Sequence, residues 1–183
     1  MQTEIIMAGF GGQGLMIIGK LLALAGLEEG KEVTWLPSYG PEMRGGTANC
    51  TVVVSNKPIG SPLTPTPKGG IVMNRPSNDK YAPAIKPGGA LVVNSSLIPD
   101  HCDRKDIKVF RIPANDIARE AGSGRAANLV VLGAYLGLDE VVKFDTLLAA
   151  IKKSFAKKKE FVEINCNTFT QGYELAKAGK SDD

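Results

Sequence analysis

Two stretches of this chain bring together residue types that can hold an anion or a polar ligand. The first is Gly9-Phe10-Gly11-Gly12-Gln13-Gly14, which satisfies the spacing G-x-G-x-x-G. Such a turn, set between a strand and a helix, points backbone N–H groups at a negative group and lets another backbone approach closely. The second is Tyr39-Gly40-Pro41-Glu42-Met43-Arg44-Gly45-Gly46. Here an arginine able to grip a carboxylate or phosphate with two parallel hydrogen bonds stands beside an acid and a tyrosine. The Gly-Gly pair leaves room for a ligand or another chain. Two plainer readings stand beside these. The glycines of the first stretch could serve only a tight turn and close helix–sheet packing. Glu42 and Arg44 could form an exposed ion pair of little energetic weight.

The elements that would position both stretches follow from the apolar pattern. The continuous run within residues 3–8 predicts a strand buried on both faces. Residues 12–29 read as a helix with Leu15, Ile18, Leu22, Ala25 and Leu27 on its apolar side, stopped by Gly30. Strands are expected over 31–36, 48–55, 71–74, 90–94 and 108–112, with a loop over 37–46. A short helix is expected over 77–85. Four prolines between Lys57 and Gly70 exclude helix and central strand there, so that segment reads as a surface connection. Helices are expected over 115–121, 126–138, 144–155 and about 161–178; the glycines of the third stretch from the end of this series imply close packing. Strands alternating with helices define an α/β fold. The expected architecture is a three-layer sandwich around a largely parallel, Rossmann-like sheet, with a helical C-terminal part, all in one domain over residues 1–183.

Several chemistries fail on missing residues. A dinucleotide site wants an acid about twenty residues on, at the end of the second strand. That strand reads Val33-Thr34-Trp35-Leu36, with Glu28 and Glu29 too early and Glu32 at the wrong end. No G-x-x-x-x-G-K-[ST] phosphate loop occurs, nor an acid placed to hold magnesium against a diphosphate. Cys50, Cys102 and Cys166 are too far apart for a cluster or zinc motif and fit reduced thiols. Net charge is only +3 and aromatics are sparse, which argues against nucleic acid. The N-terminal residues lack the pattern of a signal peptide and no apolar run would span a bilayer, so a cytoplasmic location is expected.

The paired motifs resemble the gamma subunit of the 2-oxoacid:ferredoxin oxidoreductases, the family of the pyruvate, 2-oxoglutarate and 2-oxoisovalerate enzymes. The likeness runs in order through Ala8–Gly14, Tyr39–Gly46, Asn49–Val54, Pro87-Gly88-Gly89, Leu91–Ser96 and Asn128–Ala134. It implies a subunit of a complex that decarboxylates a 2-oxo acid oxidatively, captures the acyl group on coenzyme A and passes electrons to ferredoxin. It also implies that thiamine diphosphate, magnesium and iron–sulfur clusters sit on partner alpha, beta and delta subunits, with none on this chain. The site residues it implies, for ligand or subunit contact, are Gly9, Gly11, Gly12, Gln13, Gly14, Tyr39, Glu42, Arg44, Gly45 and Gly46; none is catalytic. Where the family often has an Asp before the strand at Ile71, this chain has Lys68-Gly69-Gly70.

Three further clusters have both a functional and a plain reading. His101-Cys102-Asp103 could suggest nucleophilic chemistry or a surface turn. Lys152, Lys153, Lys157, Lys158 and Lys159 could attract an acidic partner or form a solvated helix end. Gly122-Ser123-Gly124-Arg125 could offer donors to a phosphate or simply connect two helices.

Overall fold

The computed structural model describes residues 1–39, 47–100 and 102–182, with only the backbone of Tyr39. Six strands form one sheet: β1 (Gln2–Phe10), β2 (Glu32–Tyr39), β3 (Thr47–Ser55), β4 (Gly69–Val72), β5 (Ala90–Asn94) and β6 (Lys108–Ile112). Their spatial order is β2-β3-β1-β4-β5-β6. The pairs β1–β4, β4–β5 and β5–β6 are parallel. β3 runs antiparallel to both β1 and β2, so β2 points the same way as β1. The sheet is therefore largely parallel, as expected, with one reversed strand.

That reversal departs from a Rossmann arrangement. In the dinucleotide fold the strand after the first helix lies directly beside β1. Here β2 is displaced to the outer edge and its hairpin partner β3 takes the inner place. Edge position also explains why β2 continues through Pro37 to Tyr39, where a loop was expected: an outermost strand tolerates a residue without an N–H.

Helix α1 (Leu15–Glu28) starts later than the apolar pattern predicts. Gly12 and Gly14 take left-handed backbone angles, φ 95° and 77°, which end the turn before the helix begins. Helix α2 (Arg75–Tyr81) starts two residues earlier than expected, because Asn74 caps it and Pro76 fits the first turn; a short 3-10 turn, Ala82–Ala84, follows. Helices α3 (Ala114–Glu120), α4 (Ala127–Leu138), α5 (Phe144–Phe155) and α6 (Lys159–Lys177) complete the chain.

The two faces of the sheet are covered unequally. Ile5, Met7, Cys50, Val52, Ile71 and Val92 meet α1, α3, α4, α5 and α6 in one large core. Ile6, Val72, Leu91 and Val93 meet Ala82, Ile85 and Ile98 in a smaller one beneath α2. Each fully buried Ile, Leu or Met contributes roughly 1.5–3 kcal/mol by leaving water, so the larger core dominates stability. Helix α4 is apolar all round because it lies between the sheet and α6. Its contact with α6 is backbone to backbone: a Cβ at Gly133 would lie 2.0 Å from the Phe169 carbonyl oxygen, and one at Gly172 would lie 2.1 Å from that of Val130. The expected role of the α4 glycines in close packing is thus met.

Candidate functional site

The parallel strands end along one edge of the sheet, and both sequence motifs emerge there. Phe10, the last residue of β1, pairs with Thr47, and Tyr39, the last of β2, pairs with Ala48. The turn at 9–14 and the connection between Tyr39 and Thr47 are therefore anchored side by side. Residues 40–46, with Glu42, Arg44, Gly45 and Gly46, lie outside the described residues, as do the side chain of Tyr39 and His101.

On the other side of β1 lies β4. β1 is followed by α1 on one face and β4 by α2 on the opposite face, which opens a crevice between their carboxyl ends. Open α/β sheets place ligands at such a switch point. Its walls are held by Gln13. The Phe10 N–H donates to Gln13 Oε1 at 2.6 Å, and Gln13 Nε2 donates to the Met73 carbonyl oxygen at 3.2 Å. Gln13 thus closes the turn on itself and ties it to the end of β4, spending both ends of its amide within the chain.

The glycines divide by role. A Cβ at Gly9 would lie 2.3 Å from Gln13 Oε1 and 2.8 Å from Met73 Cβ, so Gly9 is needed for packing. One at Gly14 would lie 2.3 Å from Asn128 Nδ2, whose amide donates to the Gly14 carbonyl oxygen at 3.1 Å. Gly12 has nothing within 4 Å and is exposed; it is the position in the turn that faces open space. Gly11 is half-buried. No side chain caps α1 at its start, so its first amides are not claimed by one.

The β4 side holds a feature the sequence reading missed. Asn74 Oδ1 accepts from the Ser77 N–H at 2.8 Å, but Asn74 Nδ2, Ser77 Oγ and Asn78 Oδ1 are buried without any hydrogen-bond partner. These are three of the six such side-chain atoms among the described residues. Buried polar atoms are almost always paired, and each orphan costs about 1–3 kcal/mol. Each exposes less than 1 Å² of surface, so the three are sealed inside the start of α2 and meet no ligand there. The signal available in the sequence was Asn74-Arg75-Pro76-Ser77, a helix-start pattern.

The reverse strand sharpens the case against a dinucleotide. The residue beside the end of β1 is Thr47, not an acid at the end of β2. Cys50 is no nucleophile either: burial pushes its thiol up to about 12, and its Sγ donates to the Leu15 carbonyl oxygen at 3.5 Å. Among the described residues no three His, Cys, Asp or Glu side chains gather as a metal site would require. No described helix is long and apolar enough to cross a membrane.

Residues 4–175 match the model of the family Pyruvate ferredoxin/flavodoxin oxidoreductase, and the chain belongs to that family. It is 36% identical over 181 residues to the ketoisovalerate oxidoreductase subunit VorA of Methanothermobacter marburgensis; the match covers 96% of this chain and 37% of that subunit. The chain thus spans little over a third of that relative. Among solved structures, the gamma subunit of a keto/oxoacid ferredoxin oxidoreductase from Geobacter sulfurreducens PCA superposes with a TM-score of 0.86 at 30% identity, covering 97% of this chain and 98% of that one. The 2-oxoglutarate:ferredoxin oxidoreductase from Magnetococcus marinus, solved with 2-oxoglutarate, coenzyme A and succinyl-CoA bound, gives a TM-score of 0.89 at 28% identity; it covers all of this chain and 32% of that one. The fold and the family are those the motifs implied.

Proposed function

We propose that the chain is the gamma subunit of a cytoplasmic 2-oxoacid:ferredoxin oxidoreductase and works as one domain over residues 1–183. The complex decarboxylates a 2-oxo acid oxidatively, delivers the acyl group to coenzyme A and passes the electrons to ferredoxin. Alpha, beta and delta partners carry thiamine diphosphate, magnesium and the iron–sulfur clusters. The observation that carries this reading is the end-to-end match to a gamma subunit, 98% of whose length is covered.

Within that complex the carboxyl edge of the sheet meets coenzyme A or a partner subunit. Arg44 is suited to a phosphate. Reconstitution tests the reading: the purified chain is combined with alpha, beta and delta partners, and coenzyme-A-dependent reduction of ferredoxin is followed with a panel of 2-oxo acids. Unchanged turnover when this chain is omitted would refute it. The isolated chain is expected to be inactive.

A second reading, a scaffold without ligand contact, is favoured by Gln13 and by the packing at Gly9 and Gly14, all satisfied inside the chain. Arg44→Ala separates the two. A raised KM for coenzyme A with intact assembly supports ligand contact, and loss of assembly supports the scaffold.

A further inference from the structure

The two edges of the sheet are treated differently. At β6 the end of the chain closes the edge: the Asp182 N–H donates to the Arg111 carbonyl oxygen at 3.0 Å, and the Arg111 N–H to Ser181 Oγ at 3.1 Å. Among the described residues no hydrogen bond reaches the outer side of β2, the other edge. An open edge is a template for another strand. Its free groups can be assigned. The Met73 N–H donates to the Ala8 carbonyl oxygen at 2.9 Å, so Ala8 turns its backbone groups away from β3. Asn49, which pairs with Ala8, therefore turns toward β2, and the next pair, Pro37 and Cys50, point away from each other. By the same alternation Val33 and Trp35 present both N–H and C=O outward.

Helix α1, which packs over β2 and β3 at this edge, leaves a matching face open. Ile17, Leu24 and Leu27 are 47, 38 and 57% exposed. With Lys20 they follow the alternating three- and four-residue spacing of a helix-pairing seam. The strand and the seam share one centre. A Cβ at Gly19 would lie 3.0 Å from Trp35 Nε1, and one at Gly26 would lie 2.8 Å from Val33 Cγ2. Thr34 thus stands level with the middle of the seam, near Leu22. A two-fold axis there, normal to the sheet, sets Val33 opposite Trp35 of a second copy, and each such pair exchanges both backbone hydrogen bonds. The ladder ends where it must: Pro37 has no N–H, and the Lys31 N–H already donates to the Gly26 carbonyl oxygen at 3.0 Å. The same axis runs the two α1 helices antiparallel, with Ile17 against Leu27 and Lys20 against Leu24. Lys20 pairs with no carboxylate among the described residues, and it then stands one turn from Glu28 of the second copy, whose only pairing here is an exposed one with Lys153. We infer that a second copy of this chain docks on this face, making a two-fold dimer with one sheet continuous across β2.

Light scattering of the purified full chain during gel filtration tests the assignment. The expected mass is twice 19.4 kDa, falling to the single value on dilution. Ile17→Lys and Leu27→Glu each place a charge on the exposed seam. Either alone should raise the dissociation constant at least about tenfold, because an apolar side chain loses its burial on both copies. Combined in one chain, the two set opposite charges face to face and should restore the dimer. A monomer at every concentration, a dimer indifferent to both single variants, or a combined variant no tighter than the single ones overturns the assignment. If a charged variant fails to fold, hydrogen exchange of the unaltered chain decides: the Val33 and Trp35 amides must slow as protein concentration rises, and constant exchange overturns it. The readout is the chain by itself, so its failure is distinct from failure of the reconstituted complex to turn over.

Discussion

Replacing Gly14 by alanine tests whether the glycine turn is held by its own packing. Two costs can be worked out. The backbone at Gly14 has φ 77°, a conformation that costs a residue with a Cβ about 1–2 kcal/mol. The new Cβ would also stand 2.3 Å from Asn128 Nδ2. Asn128 must turn away, which breaks its 3.1 Å bond to the Gly14 carbonyl oxygen and leaves a nearly buried amide unpaired. That adds about 1–2 kcal/mol, for a total of roughly 3 kcal/mol. Gly12→Ala is the internal control. Its φ is 95°, but its Cβ would meet nothing within 4 Å, so it should cost only about 1–2 kcal/mol. Urea unfolding of the three proteins, compared through their midpoints at equal slope, measures the difference. A double-mutant cycle with Asn128→Ala should show coupling of about 1 kcal/mol, because the clash then has no partner. If Gly14→Ala proves no more costly than Gly12→Ala, the reasoning from the Asn128 contact is wrong.

Gly133→Ala should lower the melting temperature by several degrees, since α4 and α6 must part to admit a Cβ 2.0 Å from the Phe169 carbonyl oxygen. The overpacking cost of about 3 kcal/mol exceeds the roughly 1 kcal/mol gained in helix propensity. Glu4 carries a pH signature. Burial pushes its carboxyl up, but hydrogen bonds from Gln2 and Lys86 at 2.9 and 3.1 Å outweigh this and hold it below the usual value of 4.5. Its folded value being depressed, it stabilises the protein above the unfolded value and loses that contribution as pH falls through the folded one. Lys86→Met should therefore lower stability near neutral pH and converge with the parent in acid, read from denaturation midpoints against pH. Cys50, buried with its thiol pushed up to about 12, should resist iodoacetamide at pH 8 in the folded chain and react only on unfolding, as peptide mapping would show.

The sequence made the elements legible because their patterns are local. The unbroken apolar run at Ile5–Ala8 and the all-apolar stretch at Leu129–Leu136 each announce burial on every side, and both are buried. The common edge of the two motifs follows from strand direction and is fixed by the pairs Phe10–Thr47 and Tyr39–Ala48. What periodicity does not carry is pairing. Nothing in Thr51-Val52-Val53-Val54 says that β3 runs backwards between β1 and β2, because alternation looks the same in either direction. The buried, unpartnered polar atoms at Asn74, Ser77 and Asn78 were hidden for a related reason: a side chain's lack of a partner is a property of the surroundings. A groove lined by Ile17, Arg125, Phe155 and Asn165 draws its walls from distant parts of the chain, so no window along the sequence contains it.

The reversed strand also decides where this fold can be edited. Because β2 and β3 form a hairpin, Tyr39 and Thr47 are fixed across one ladder whatever joins them. Doubling the length of a connection between fixed ends costs only about 0.6 kcal/mol in closure entropy, and both ends here are held by strand pairing. The segment joining these two ends is thus a graft point. Related chains could exchange its length and composition, and so change what they meet at that edge, while keeping one unaltered frame.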